Sequence, residues 1–340
     1  MEIHTNIPLK NYTTMKLGGN ARFIAEAFTT DDISKICQNA KTQKLPIFII
    51  GGGSNLIAKD EGYSGIIIHV RIPGFEIVND DINSTTIKIG AGENWDSVVK
   101  RTVDMKLSGI EAMSAIPGSS GATPIQNVGA YGQEIADTLQ SLETYDTQTD
   151  KFVTLQNSDC NFSYRNSIFR GKDQGRYVVA SITLKLSKNL PTSPFYDSLQ
   201  KYLDEKSINF YTHETIRNAV IEIRKSKLPD PKILANSGSF FKNAIVEGWQ
   251  LNDIKAIDPT IPIFDMGDGK YKIPTGWLIE STGLKGQILH GMRIYEKNAL
   301  ILVNESATSY KDLSDARNEI IDKVRNKFNI RIEQEPLEIQ

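Results

Sequence analysis

The sequence is poor in the residues from which metal and redox sites are usually built. It has two cysteines, Cys37 and Cys160, which stand far apart, and four histidines, His4, His69, His213 and His290, which form no pair. No metal site is readable from such spacing. Excess charge of one sign is also missing: 39 Lys and Arg balance 41 Asp and Glu, for a net charge of −2. That excludes general attraction for nucleic acid or an anionic membrane. No stretch approaches the roughly 18 apolar residues of a membrane span, and the amino terminus carries no apolar secretion segment. The expectation is a cytoplasmic protein with reduced thiols. Repeats of solenoid length and low-complexity tracts are absent too. What is present is length: 340 residues exceed the usual single core and predict two or three domains.

The most distinctive stretch is Ile116–Glu134, IPGSSGATPIQNVGAYGQE, in which four of nineteen residues are glycine and Pro117 and Pro124 add rigidity. Glycine admits positive φ and close approach of a ligand to the main chain, and successive exposed amides in such turns form anion-binding nests. The device recurs. A short apolar strand Ile47–Ile50 runs into Gly51-Gly52-Gly53-Ser54-Asn55, and a strand Thr85–Ile89 runs into Gly90-Ala91-Gly92-Glu93-Asn94 ahead of a helix carrying Trp95, Val98, Val99 and Val103 on one face. Three turns of this kind suit a phosphate-bearing cofactor. Neither common fingerprint fits, since the third glycine of GxGxxG falls at Leu56 and no Lys-Ser/Thr follows.

Elsewhere the periodicities predict a strand over Ala21–Phe28, a helix from Thr30, a strand over Gly65–Val70, and β-like runs at Ser141–Thr144, Lys151–Leu155 and Tyr177–Leu186. Beyond Pro191, Tyr196-Asp197 opens a connector to a helix Glu214–Lys225. Then follow NSGSFFKN (Asn236–Asn243), a hairpin at Gly267-Asp268-Gly269, a short helix within Pro274–Gly286 and a strand Ala299–Val303. A long helix after Ser309 has Leu313, Ala316, Ile320, Val324 and Phe328 at helical spacing, and the tail Asn329–Gln340 reads as solvated surface.

The segments GGGSNLI, GAGENW, IPGSSGATPIQNVGAYGQE, YRNSIFR, KLPDPK, GSFFKN, GWLIESTGLKG and IEQE stand in one order from Asn11 to Glu335. In that order and spacing the chain resembles the bacterial UDP-N-acetylenolpyruvoylglucosamine reductases, in the longer of their two classes. One departure is Ile332-Glu333-Gln334-Glu335, where the family usually has LEPE.

The resemblance implies an α+β fold. Its parts are a two-part FAD-binding region of the vanillyl-alcohol-oxidase (PCMH) type, residues 1–70 and 71–228 with 329–340, and a C-terminal α/β substrate-binding domain, 229–328. It implies FAD as cofactor and NADPH as hydride donor, for reduction of the enolpyruvyl group of a UDP-sugar to UDP-N-acetylmuramate in peptidoglycan synthesis. No obligate protein partner is implied. The cofactor set is Gly51, Gly52, Gly53, Ser54, Asn55, Gly118, Ser119, Gly121, Ala122, Gln126, Asn127, Gly129, Ala130 and Tyr131. Arg165 matches the residue that binds the substrate carboxylate, Ser239 the proton donor and Glu335 the acidic partner. Tyr196, Lys227 and Asn243 match contacts to the diphosphate or uridine. Two alternatives stay open: another FAD-dependent oxidoreductase of this fold, or a non-catalytic nucleotide-binding module.

Overall fold

The computed structural model describes residues 2–340, which form two compact units. The first contains residues 2–7, 21–53 and 64–226, and the second contains 8–20, 54–63 and 227–340.

The first unit is built on two sheets. In a four-stranded sheet the order is Glu2–Pro8, Asn20–Ala27, Tyr63–Val70, Ile47–Ile50. Ile47–Ile50 pairs in parallel with Tyr63–Val70, with Ile50 opposite His69. The helix Thr30–Thr42 starts at a capping box, Thr29 with Asp32, and buries Ile33, Ile36, Cys37 and Ala40. The second sheet is five-stranded and antiparallel, in the order Lys151–Gln156, Leu139–Asp146, Tyr177–Ser187, Ser84–Gly90, Phe75–Asp80. A single apolar core joins both sheets, from Ala25 and Ile68 through Trp95 and Val99 to Ile182 and Leu184. The segment after Pro191 differs from the expected connector. Asp197–Glu205 is a helix, because Leu199 and Leu203 lie one turn apart and pack on Ile216, Val220 and Ile223 of the helix His213–Lys227.

The second unit has a four-stranded sheet, Asn236–Ser239, Ile301–Asn304, Met292–Ile294, Ile288–Leu289, and a three-stranded one, Ala244–Glu247, Lys270–Ile273, Phe264–Gly267. The helix Tyr310–Phe328 buries the expected stripe, Leu313, Ala316, Ile320, Val324 and Phe328, against Phe240, Phe241 and Leu278. The tail is only partly solvated: Asn329, Arg331, Glu333 and Gln340 are exposed, while Glu335 is buried and Glu338 half-buried. Leu337–Ile339 forms a strand parallel to Leu56–Ala58, and Ile330, Ile332 and Ile339 are buried. Glu338 can be half-buried here because its charge is paired: Arg317 meets it at 2.8 Å. Among the described residues, no helix is long and apolar enough to cross a membrane.

Candidate active site

In the first unit the three glycine turns lie against one another. A Cβ on Gly51 would overlap Ser119 Oγ, and one on Gly52 would stand 2.7 Å from Gly118 Cα, closer than real Cβ contacts allow. A Cβ on Gly121 would overlap Ala91 Cβ and lie 3.0 Å from Ala91 Cα. Hydrogen bonds lock the second and third turns. Ser120 N–H donates to Glu93 O (2.9 Å), Gly121 N–H to Ala91 O (2.9 Å) and Trp95 N–H to Gly118 O (3.1 Å), while Ser120 Oγ donates to Gly90 O at 2.5 Å. Gly121 is therefore needed for turn-on-turn packing. Among the described residues, the amides of Gly52, Gly53, Gly118 and Ser119 donate to no main-chain carbonyl. Gly53 and Gly118 hold φ of 67° and 127°, open only to glycine at low cost. Unspent amides on closely apposed glycines form a cradle that suits a diphosphate, so these residues fit the phosphate portion of a dinucleotide such as FAD.

Left-handed backbone also occurs in and beside the Ile116–Glu134 stretch. Ala115, Asn127, Tyr131 and Arg165 all have positive φ, between 48° and 58°, and such residues persist where the surroundings over-determine them. The Ile116–Glu134 stretch is anchored at its entrance by a charged network. Arg217 donates to both oxygens of Asp96 (2.7 and 3.0 Å) and to Ser114 Oγ (3.0 Å). Ala115 N–H donates to Asp96 (2.6 Å), and Arg224 Nε donates to Ala115 O (3.2 Å). Burial opposes ionisation of Asp96, but the Arg217 hydrogen bonds prevail and hold its carboxyl below the usual range. Further along, Asn127 is buried and spent on the fold: Nδ2 donates to Glu134 Oε2 at 2.6 Å, and Oδ1 accepts from Ala136 N–H at 3.1 Å. Gln126 Oε1 accepts from Arg170 at 2.9 Å. Gly129 and Ala130 form one side of a two-residue ladder with Gln133 and Glu134, and Arg165 Nη2 donates to Gly129 O at 3.1 Å. Tyr131 meets Tyr196 edge to face, ring centroids 6.4 Å apart, in a groove of about 430 Å³ that Glu111, Gln133, Asn189 and Phe195 also line. Burial pushes the Tyr131 hydroxyl up.

In the second unit Ser239 ends the strand Asn236–Ser239. Gly238 before it takes φ 72°, and its amide donates to Asn236 Oδ1 at 2.8 Å. The chain then turns into the core through Phe240 and Phe241, both fully buried. Glu335 N–H donates to Phe240 O (2.8 Å) and Lys242 N–H to Glu333 O (2.9 Å), with an antiparallel bridge between Phe241 and Gln334. The backbone of buried Glu335 is thereby bonded to the residue that follows Ser239. Asn243 Oδ1 accepts from Thr275 N–H at 3.2 Å, where the helix Thr275–Ser281 begins. Lys227 closes the helix His213–Lys227 and is exposed. Ser54 and Asn55 open the run 54–63 of this unit.

Comparison with known proteins gives two family matches that follow each other along the chain. Residues 21–156 match the FAD binding domain family, and residues 230–339 match the C-terminal domain of UDP-N-acetylenolpyruvoylglucosamine reductase. The protein of that name from Ralstonia nicotianae is 37% identical over 335 residues, 98% of each chain. The one from Flavobacterium johnsoniae is 37% identical over 337 residues, 98% of this chain and 99% of its own. The chain belongs to the UDP-N-acetylenolpyruvoylglucosamine reductase family. The solved reductase from Thermus caldophilus shares the fold, with a TM-score of 0.68 at 21% identity over 100% of this chain and 98% of that one.

For a member of this reductase family the sequence signals were uneven. Asp96, Arg217 and Arg224, which fix the entrance to the glycine stretch, belong to no motif. Arg217 and Arg224 stand two turns apart on the helix His213–Lys227 beside its apolar stripe, a spacing that marks a charged edge facing the protein. His69, a lone histidine in an apolar strand, gives no sequence signal that it neighbours the first glycine turn. It sits across the ladder from Ile50, its Nδ1 lies 3.4 Å from Glu26 Oε1, and burial lowers its pKa.

Proposed function

We infer that this chain reduces UDP-N-acetylglucosamine-enolpyruvate to UDP-N-acetylmuramate with FAD as cofactor and NADPH as hydride donor, in the cytoplasmic stage of peptidoglycan synthesis. The observation that carries this reading is the glycine cradle, in a chain whose whole length matches reductases of that name. Bound FAD supplies the hydride carrier between the nicotinamide and the enolpyruvyl double bond. The chain's own residues supply the rest.

Gly52, Gly53, Gly118 and Ser119 offer amides to the diphosphate, with Gly51, Gly121 and Ala122 keeping the turns close enough for it. Arg165 is always cationic, and its planar fork suits a carboxylate; its role is to bind the enolpyruvyl carboxylate. The role of Glu335 is to stabilise charge as the double bond is reduced. Ser239 Oγ gives the proton that completes the reduction. A hydroxyl is a weak acid, but it suffices against a strongly basic enolate when held at hydrogen-bond distance. Tyr196, Lys227 and Asn243 recognise the nucleotide portion, Lys227 by charge and Asn243 through the amide nitrogen that its bond to Thr275 leaves over.

The purified protein is expected to be yellow, to bleach with NADPH under anaerobic conditions, and to regain colour when UDP-N-acetylglucosamine-enolpyruvate is added. A colourless protein that takes up no FAD would point to the non-catalytic module. A flavoprotein that the enolpyruvyl sugar fails to reoxidise would point to another oxidoreductase of this fold.

A further inference from the structure

The tail that carries Glu335 is held at both ends by main-chain pairing, and that pairing leaves a central question of side-chain direction. Upstream, residues 333–335 bond to 240–242. Downstream, Leu337–Ile339 pairs with Leu56–Ala58, and Lys59 Nζ donates to Gln340 Oε1 at 2.6 Å. Between these anchors lies a polar cluster fed by the long helix. Arg317 Nη1 donates to Gln334 Oε1 and to Glu338 Oε1, both at 2.8 Å, and Nη2 donates to Ser314 Oγ at 2.9 Å. The Tyr310 hydroxyl donates to the same Glu338 oxygen at 2.6 Å. Gln334 Nε2 donates to Pro336 O at 3.0 Å and to Glu338 Oε1 at 3.2 Å. Side chains alternate along extended chain, so a Gln334 held toward the helix sends its neighbour Glu335 to the opposite face. A slip of one residue would exchange the two.

We propose that Arg317, with Gln334 and Glu338, is a positioning residue that fixes the direction of the Glu335 carboxyl for the reduction step. This rests on the role given to Glu335 above. The ladders alone do not do it: they hold the backbone, while the cluster grips the side chain immediately before Glu335 and the carbonyl immediately after it. Arg317 is suited because one guanidinium reaches five side chains, those of Tyr310, Ser314, Asn318, Gln334 and Glu338, in fixed geometry, which an ammonium cannot do.

The test is stopped-flow absorbance on the full-length, FAD-loaded protein, with the two half-reactions followed separately. In Arg317→Met, NADPH should bleach the flavin at the wild-type rate. Reoxidation by saturating UDP-N-acetylglucosamine-enolpyruvate should slow by about 10-fold or more, because a displacement of about 1 Å can cost up to about 10²-fold. The half-saturating concentration should move much less, the mark of an interaction realised in the transition state. Arg317→Lys should recover part of the loss. If Arg317→Met does not fold, Gln334→Ala and Tyr310→Phe, which remove fewer bonds, carry the same comparison with smaller effects. Equal slowing of both half-reactions, or a lowered unfolding temperature with reoxidation unchanged, would overturn the proposal and leave the cluster merely structural. Glu335→Gln separates the two ideas. Wild-type reoxidation in that variant would remove the role of Glu335 itself. Slow reoxidation there with normal Arg317→Met would remove the positioning role alone.

Discussion

The two units present function in different materials. In the first, the candidate cofactor cradle is main chain: amides on Gly52, Gly53, Gly118 and Ser119, kept open because a Cβ at Gly51 or Gly52 would collide with the facing turn. In the second, the candidate chemistry belongs to two side chains, Ser239 and Glu335, on segments joined by Glu335 N–H to Phe240 O. A site made of backbone is sensitive to added atoms. One made of side chains is sensitive to their removal, and its frame can survive the loss.

The largest expected effect tests the side-chain half. Ser239→Ala deletes one hydroxyl from the end of a strand and leaves the bond from Gly238 N–H to Asn236 in place. The variant should fold, bind FAD and bleach with NADPH at close to the wild-type rate. Reoxidation by the enolpyruvyl sugar should slow by about 10²-fold or more, the contribution of a positioned general acid. Ser239→Cys should restore part of it, a thiol being a proton donor of lower pKa. Equal slowing of both half-reactions would show that Ser239 belongs to the frame.

The backbone half predicts the opposite pattern. Gly52→Ala adds one methyl group facing Gly118 Cα at 2.7 Å and Gly118 C at 3.1 Å, and both are main-chain atoms that cannot swing aside. Overpacking of this kind costs about 1–3 kcal/mol, which as lost affinity is about 5- to 150-fold. FAD titration of the apoprotein should show that loss, while the flavin that does bind should pass through both half-reactions normally. Wild-type FAD affinity would mean that the apposed turns are not the cradle.

These contrasts explain what could be read from the residues. Turn chemistry is local, so Gly51–Gly53, Gly90–Gly92 and Gly118–Gly121 announced strand, turn and close approach. Apolar spacing likewise placed the helices Thr30–Thr42 and Tyr310–Phe328. That the three turns rest on one another was not legible, because it depends on which strands pair. The same holds for Asp96 with Arg217, for His69 beside Ile50, and for Glu338 in the tail, which Arg317 and Tyr310 bond from the distant long helix. Ser239 by itself reads as a turn serine, and only the ordered motifs around it gave it a role.

The pH dependence of the first unit should be sharpened by Asp146. Arg176 donates to both its oxygens, at 3.0 and 2.8 Å. That bond, against some opposing burial, lowers its pKa from 3.8 to about 2. A depressed carboxyl pKa contributes stability that is fully present above the unfolded value and disappears as pH falls through the folded one. Acid unfolding should therefore steepen between pH 3.8 and about 2, and Asp146→Asn should flatten that interval while losing about 2 kcal/mol at neutral pH, as for a charged hydrogen bond. An unchanged acid profile would show that Asp146 is paired equally well in the unfolded chain.

The smallest effect compares two helix starts built alike. Thr29 Oγ1 and Ser309 Oγ each accept from an amide three residues on, at 3.1 Å, and Asp32 and Asp312 return the bond to the cap residue. The helix Tyr310–Phe328 has one more support. Asp60 accepts from Tyr310 N–H at 2.7 Å and from Lys311 N–H at 3.1 Å, satisfying two further amides and placing negative charge at the positive end of the helix dipole. Thr29→Ala should then cost about 1 kcal/mol, whereas Ser309→Ala should fall near the lower end of the range, about 0.5 kcal/mol. Hydrogen exchange at the first-turn amides separates them: the Asp32 amide should lose its protection in the first variant, while Tyr310 and Lys311 should keep theirs in the second. Adding Asp60→Ala to Ser309→Ala should bring its cost up to at least that of Thr29→Ala. Equal costs for the two single variants would show that Asp60 orients the loop before the helix without sharing in the cap.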